Sequence, residues 1–232
     1  MNEKAVVLLS GGQDSATCLA MACDEFPVVS AISFDYGQRH FSELKCAVTL
    51  AGIAGVSHRV IPFHSLSQLD QSSTMVKREG DKRDVSEAHP IHSHLPSSFL
   101  PGRNYLLLGL AAVYAFNLGA ETIFTGTCQT DFSGYPDCRR EAIDAIQEAL
   151  RVAMDFKRLA IVTPLMYLTK AETVFEMQVR GKLHWYAHTQ TCYNGLRPPC
   201  GQCPSCLLRA KGFKEAGIED PLTGKGITNE LA

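Results

Sequence analysis

The chain has 232 residues, 45% of them hydrophobic and 20% charged, enough apolar material for one sizeable core. With 22 Lys and Arg against 24 Asp and Glu, the net charge of −2 gives no support to a nucleic-acid coat or a membrane-surface protein. No stretch approaches the roughly 20 consecutive apolar residues that a membrane-crossing helix needs, and the first residues lack the basic, apolar and cleavage regions of a secretory leader, so a cytoplasmic protein is expected.

Ala5-Val6-Val7-Leu8-Leu9 is an apolar run without alternation, the pattern of a central parallel strand covered on both faces. After a glycine turn, Ala16, Leu19, Ala20 and Cys23 fall on one face of a helix. Residues 28–34 read as a second strand, 43–54 as a second helix ending near Gly55, and 58–62 as a third strand. This β-α-β-α-β order predicts a Rossmann-like, doubly wound parallel sheet. Residues 65–98 then break the rhythm, being rich in Ser, Asp, Lys and His, and read as a lid-like excursion. His89, His92 and His94 within it have no cysteine or carboxylate spaced to complete a metal site, so a solvated loop is expected there.

Residues 104–118 are apolar almost all round, which predicts a buried helix or one that meets a second subunit. Residues 121–125 read as a fourth strand, 139–155 as a helix with Ala142, Ala145, Ile146, Ala149, Leu150 and Ala153 on one face, and 160–163 as a fifth strand. Thr169 is the expected N-cap of a helix over 169–180, and a short helix is expected around 207–216. The chain divides on this reading into residues 1–185 and a C-terminal extension, 186–232.

The first strand-to-helix turn is Ser10-Gly11-Gly12-Gln13-Asp14-Ser15. Paired glycines let backbone N–H groups approach an anion, the following helix aims its positive end at the same point, and Ser10 and Ser15 add hydroxyls. Asp14 can hold a Mg²⁺ that shields phosphates. The turn lacks the Lys of G-x-x-x-x-G-K-[ST] and the spacing of G-x-G-x-x-G, so neither of those readings applies.

Nine cysteines are present, and four of them, Cys192, Cys200, Cys203 and Cys206, lie within 15 residues. Four thiolates at this spacing suit a closed, structural zinc site; an iron–sulfur cluster and redox cysteines are the rival readings. Cys18, Cys23 and Cys46 read as small buried hydrophobes.

The loop resembles the S-G-G-x-D-S loop of the N-type ATP pyrophosphatases, which adenylate a substrate oxygen and release pyrophosphate into the loop. Four further segments narrow the resemblance: residues 34–40 (FDYGQRH), 101–104 (PGRN), 133–139 (SGYPDCR) and 192–195 (CYNG). With the loop and the four cysteines they resemble the 7-cyano-7-deazaguanine synthase family. The resemblance implies an adenine nucleotide alpha hydrolase-like fold and a C–N ligase that takes 7-carboxy-7-deazaguanine, ammonia and Mg-ATP to the 7-cyano compound, in queuosine biosynthesis. It implies AMP and pyrophosphate as products, small-molecule partners, a homodimer, and no nucleic-acid or membrane partner. A tRNA-thiolating pyrophosphatase, an amide-forming ligase on another acid and a zinc-knuckle binding module are the alternatives.

The resemblance also directs roles to residues. ATP is expected at Leu8, Leu9, Ser10, Gly11, Gly12, Gln13, Asp14, Ser15, Ala16, Thr17 and Cys18, with Ser33 and Phe34 bracketing adenine. Asp14, Ser15, Arg103 and Lys170 are the catalytic candidates, the two cations neutralising pyrophosphate. Tyr36, Gln38, Arg39, His40, Asp131, Tyr135, Asp137 and Arg139 are the candidates for the second substrate. Asp131 or Asp137 would accept from the N–H edge of a guanine-like ring and Tyr135 would lie on its face; capping of the following helix is the rival role for Asp137.

Overall fold

Ala5, Val6 and Val7 are almost completely buried although neighbouring side chains point to opposite faces of a strand, so the first strand must be covered on both sides. The computed structural model, which describes residues 3–38, 42–69, 72–76, 88–130 and 134–223, has that arrangement. Five parallel strands, β1 (Lys4–Leu8), β2 (Val28–Asp35), β3 (Ser57–Pro62), β4 (Thr122–Phe124) and β5 (Ala160–Val162), form one sheet in the order β3-β2-β1-β4-β5. β1 pairs with β2 through Val6 opposite Ser30, and with β4 through Val6 opposite Ile123.

Helices α1 (Gln13–Glu25) and α2 (Ser42–Ala54) make the first two crossovers. The chain then passes through a short helix, α3 (Ser65–Leu69), and α4 (Arg103–Leu118) before returning to the other side of β1. α5 (Arg140–Ala153), α6 (Lys170–Val179) and α7 (Pro204–Ala216) complete the chain. Val7 and Leu9 join residues of α1, α2, α6 and α7 in one core, whereas Val6 joins residues of α4 and α5 in a second core on the opposite face. Full burial of one such side chain stabilises the fold by about 1.5–3 kcal/mol, which is why the sheet is sealed on both faces.

The doubly wound fold and its five strands agree with expectation. Helix ends differ by one to three residues: α5 starts at Arg140 with Arg139 as N-cap, and α7 starts at Pro204 rather than near 207. Thr169 does cap α6, in a capping box with Glu172. α4 was expected to be buried or to meet a second subunit, and burial holds for one face only: Leu108, Ala111 and Ala112 are sealed, but Tyr105, Val113 and Phe116 are each about half exposed on its outer face. The histidines also divide. His92 and His94 are exposed, whereas His89 is buried, its Nδ1 accepting from the Ile91 and His92 amides and its Nε2 paired with Ser72. Both ring nitrogens of His89 are therefore used within the loop.

No described helix is long and apolar enough to cross a membrane.

Candidate active site

In a sheet of this order, helices leave β1 and its neighbour β4 toward opposite faces, and a crevice opens above their carboxyl ends. The loop Ser10–Ser15 lies there. Gly11 has φ +90°, and a Cβ on it would stand 2.1 Å from the Glu43 carbonyl oxygen, so only glycine fits. The Ser15 hydroxyl organises the turn: its Oγ accepts from the amides of Ser10 and Gly11, each at 3.2 Å, and donates to the Gly12 carbonyl at 3.1 Å. Gly12 is the N-cap of α1 and supplies no side-chain cap, so the first-turn amides of α1 keep their capacity for an anion. Gly126, after β4, packs so closely on Asp14 that a Cβ there would lie 3.0 Å from its backbone.

The loop forms one wall of a cavity of about 820 Å³. Lys170, the first residue of α6, places its Nζ 2.6 Å from both Asp14 carboxylate oxygens, with its side chain only 10% exposed. Arg103, the first residue of α4, enters from the opposite face of the sheet and holds its guanidinium 5.7 Å from the centre of the Tyr135 ring. Burial opposes its charge, but the surrounding Tyr36, Tyr135, Asp137 and Cys138 outweigh that effect and raise its pKa. Tyr135 donates to, or accepts from, Ser98 at 2.6 Å, and its hydroxyl pKa is raised by burial. The cavity thus has a loop suited to phosphate, Arg103 and Lys170 on opposite sides with Arg209 and Lys211 also in its lining, and aromatic walls.

Of the residues singled out from the sequence, Leu8, Leu9, Ser10, Gly12, Gln13, Asp14, Ser15, Ser33, Phe34, Tyr36, Gln38, Arg103, Tyr135 and Lys170 line this cavity. Ala16, Thr17 and Cys18 are fully buried behind the loop, where the Thr17 hydroxyl meets Tyr186 Oη at 2.7 Å. Ser33 Oγ bonds the Leu9 carbonyl and lies 2.7 Å from His58 Nε2, whose pKa burial lowers. The Gln38 amide is folded onto its own turn, accepting from the Tyr36 amide and donating to the Phe34 carbonyl. Asp137 does not line the cavity; its Oδ2 accepts from the Asn104 amide at 3.1 Å and so caps α4 rather than α5. Arg139 is exposed and pairs loosely with Glu141. Arg39, His40 and Asp131 lie outside the described residues.

Several cavity residues carried no sequence signal as site residues. Glu43 sits in the first turn of α2, and burial, only partly offset by Arg103, raises its carboxyl to about 7. Tyr193, Gln190, Thr127 and Cys138 also line the cavity, the last with a thiol pushed by burial and by Asp137 up to about 12. Only Tyr193 and Cys138 stand in segments that the sequence had marked, beside the cysteine cluster and after β4.

At the C-terminal side, the Sγ atoms of Cys192, Cys200, Cys203 and Cys206 all lie within 4.8 Å of one another. Thiolates about 2.3 Å from a tetrahedral centre stand about 3.8 Å apart, and Cys200 and Cys206 are 3.9 Å apart. The amides of Gln202 and Cys203 donate to Cys200 Sγ and lower its pKa to about 6, and the Tyr193 amide donates to Cys203 Sγ at 3.4 Å. The donor set and the N–H groups around it fit a thiolate-bound metal.

Comparison with known proteins decides the family. A sequence model of the family described as "Queuosine biosynthesis protein QueC" matches residues 4–217. This chain belongs to the QueC family. The 7-cyano-7-deazaguanine synthase of Chromobacterium violaceum is 48% identical over 95% of this chain and 93% of its own length. That of Laribacter hongkongensis is 47% identical over 96% of this chain and 95% of its own. Among solved structures, a 4-thiouridine synthetase bound to RNA and ATP superposes with a TM-score of 0.50 at 16% identity. It covers 79% of this chain, which in turn spans 42% of that longer protein, and the likeness extends to the fold alone.

Proposed function

We propose that this QueC-family protein converts 7-carboxy-7-deazaguanine and ammonia to 7-cyano-7-deazaguanine in queuosine biosynthesis, consuming ATP and releasing AMP and pyrophosphate. The observation that carries this reading is the pair of nearly full-length relatives, at 48% and 47% identity, that bear the synthase name. The cavity chemistry supports it. The carboxylate oxygen of the substrate attacks the α-phosphorus of ATP, and pyrophosphate leaves toward the first-turn amides of α1 and the serine hydroxyls. Arg103 and Lys170 offset the charge that develops on it, a fixed arrangement that stabilises a transition state without reorganisation. Ammonia then displaces AMP to give the amide, and a second activation of the amide oxygen leaves the nitrile.

Ser33 and Phe34 at the end of β2 are where adenine would rest, and Asp14 is the carboxylate that would hold the Mg²⁺ accompanying ATP. Cys192, Cys200, Cys203 and Cys206 would hold a structural Zn²⁺, whose contribution is to tie the C-terminal segment together. A cytoplasmic homodimer fits this reading, and the exposed apolar face of α4 supports the dimer. Incubation with 7-carboxy-7-deazaguanine, ammonium and Mg-ATP, followed by mass, is expected to yield the nitrile with AMP; no nitrile under these conditions would overturn the assignment.

A further inference from the structure

A guanine-like ring presents two adjacent N–H donors, at N1 and at the 2-amino group, whose natural partner is a carboxylate with both oxygens free. Among the described residues only two carboxylates line the cavity, Asp14 and Glu43. Asp14 accepts from Lys170 through both oxygens and belongs to the phosphate loop, where the proposed function gives it the Mg²⁺. Asp137 lies outside the cavity wall and caps α4. That leaves Glu43.

Its surroundings suit a flat heterocycle. Glu43 keeps some exposed surface although protein atoms surround it closely, so that surface belongs to the cavity wall. Its carboxylate is felt by Tyr36 and Tyr193, which line the same cavity, and it faces Arg103 from α4. Tyr135, with the Arg103 guanidinium over its ring, lines the same cavity. The Glu43 carbonyl also meets the Gly11 turn, so the first turn of α2 ties this acid to the phosphate loop.

We infer that Glu43 reads the base edge of the second substrate, its two carboxylate oxygens accepting from N1–H and the 2-amino group while Tyr36, Tyr135 and Tyr193 bound the ring. The assignment rests on the function proposed above and names the residue that sets its substrate class. The raised pKa is consistent with it: burial disfavours the charged acid, and two N–H donors from the ring would favour it.

The test is binding of 7-carboxy-7-deazaguanine and of its counterpart lacking the 2-amino group to the full chain, by calorimetry at pH 8 without ATP. The wild type is expected to prefer the amino-bearing compound by about ten- to a hundredfold, the worth of one hydrogen bond to a charged group. In Glu43→Gln, whose amide N–H clashes with a donor edge, the preference is expected to fall to within about threefold, while ATP affinity stays at the wild-type value. A wild-type preference retained in Glu43→Gln would overturn the inference and assign Glu43 a structural role beside Arg103. Unchanged binding with a lost kcat would overturn it too, in favour of a proton-transfer role. Should Glu43→Gln not bind ATP, Glu43→Asp replaces it, with a reduced but measurable preference expected; full wild-type preference there would contradict the inference. If the wild type binds neither compound, the proposed function fails and the reading of Glu43 falls with it; binding with an unaltered preference in Glu43→Gln overturns the reading of Glu43 alone.

Discussion

Lys170 holds both oxygens of Asp14 at 2.6 Å from a side chain that is 10% exposed, so its charge is kept at the mouth of the phosphate loop by a partner across the cavity wall. Lys170→Met is expected to lower kcat about 10²–10³-fold, the usual loss for one fixed donor to a developing oxyanion, measured as AMP release at saturating ATP. An unchanged kcat would overturn the catalytic role proposed for Lys170. Glu43 supplies a prediction of a different kind. Its carboxyl, at about 7 in the fold against an ordinary 4.5, binds a proton more tightly folded than unfolded. Its contribution to stability is therefore fully present below about pH 4.5 and is lost as pH rises through 7, by on the order of 3 kcal/mol. Urea unfolding at pH 5 and pH 8 is expected to show Glu43→Gln gaining on the wild type at the higher pH; a difference independent of pH would mean the carboxyl is not desolvated. At this scale the sequence was legible where residue type alone restricts geometry, as in Gly11, Asp14 and Ser15. It was silent on Glu43, whose helical context looks like any other first turn, and it offered Asp137 the substrate edge or the cap of α5, because its actual capping partner Asn104 lies 33 residues away.

The elements themselves were legible because the longer helices show their period and β1, β2 and β5 are largely apolar runs between turns. α3 and the 3₁₀ turn at Leu183–His188 are too short to show a period, and neither was anticipated. α4 carries the clearest consequence. Its first turn presents Arg103 to the cavity, and the Asp137 carboxylate that caps the Asn104 amide fixes where that turn begins. Asp137→Ala is expected to cost about 1 kcal/mol, a fall in Tm of about 2–4 °C for a chain of this size, together with a raised KM that Asp137→Asn largely restores. A loss of activity with Tm unchanged would point instead to a direct role for Asp137 at the substrate.

Across the molecule, the C-terminal segment is wired into the site at several points. The Gln190 amide donates to the Gly11 carbonyl at 2.9 Å, and Gly212 of α7 lies so close to α6 that a Cβ there would stand 2.6 Å from Lys170 Cβ. Arg209, 3% exposed, joins both Asp220 oxygens at 2.7 Å to the Thr189 hydroxyl and the Tyr186 carbonyl. Cysteine spacing made the four-thiol cluster visible in the sequence, and with it the expectation that the cluster pins the C-terminal tail, with the helix around 207–216, against the active-site end of the sheet; the individual contacts join distant segments and were not legible. For the proposed zinc site, treatment with a chelator, or replacing Cys203 by Ser, is therefore expected to weaken ATP binding as well as lower Tm; a lower Tm with ATP affinity intact would confine the cluster to stability.

Adenylation at the α-phosphorus is the claim on which the cavity's chemistry depends, and substrate labelled with ¹⁸O in its carboxylate tests it most directly. AMP carrying the heavy oxygen, with unlabelled pyrophosphate, is the predicted result. Label recovered in inorganic phosphate, with ADP as the nucleotide product, would contradict it.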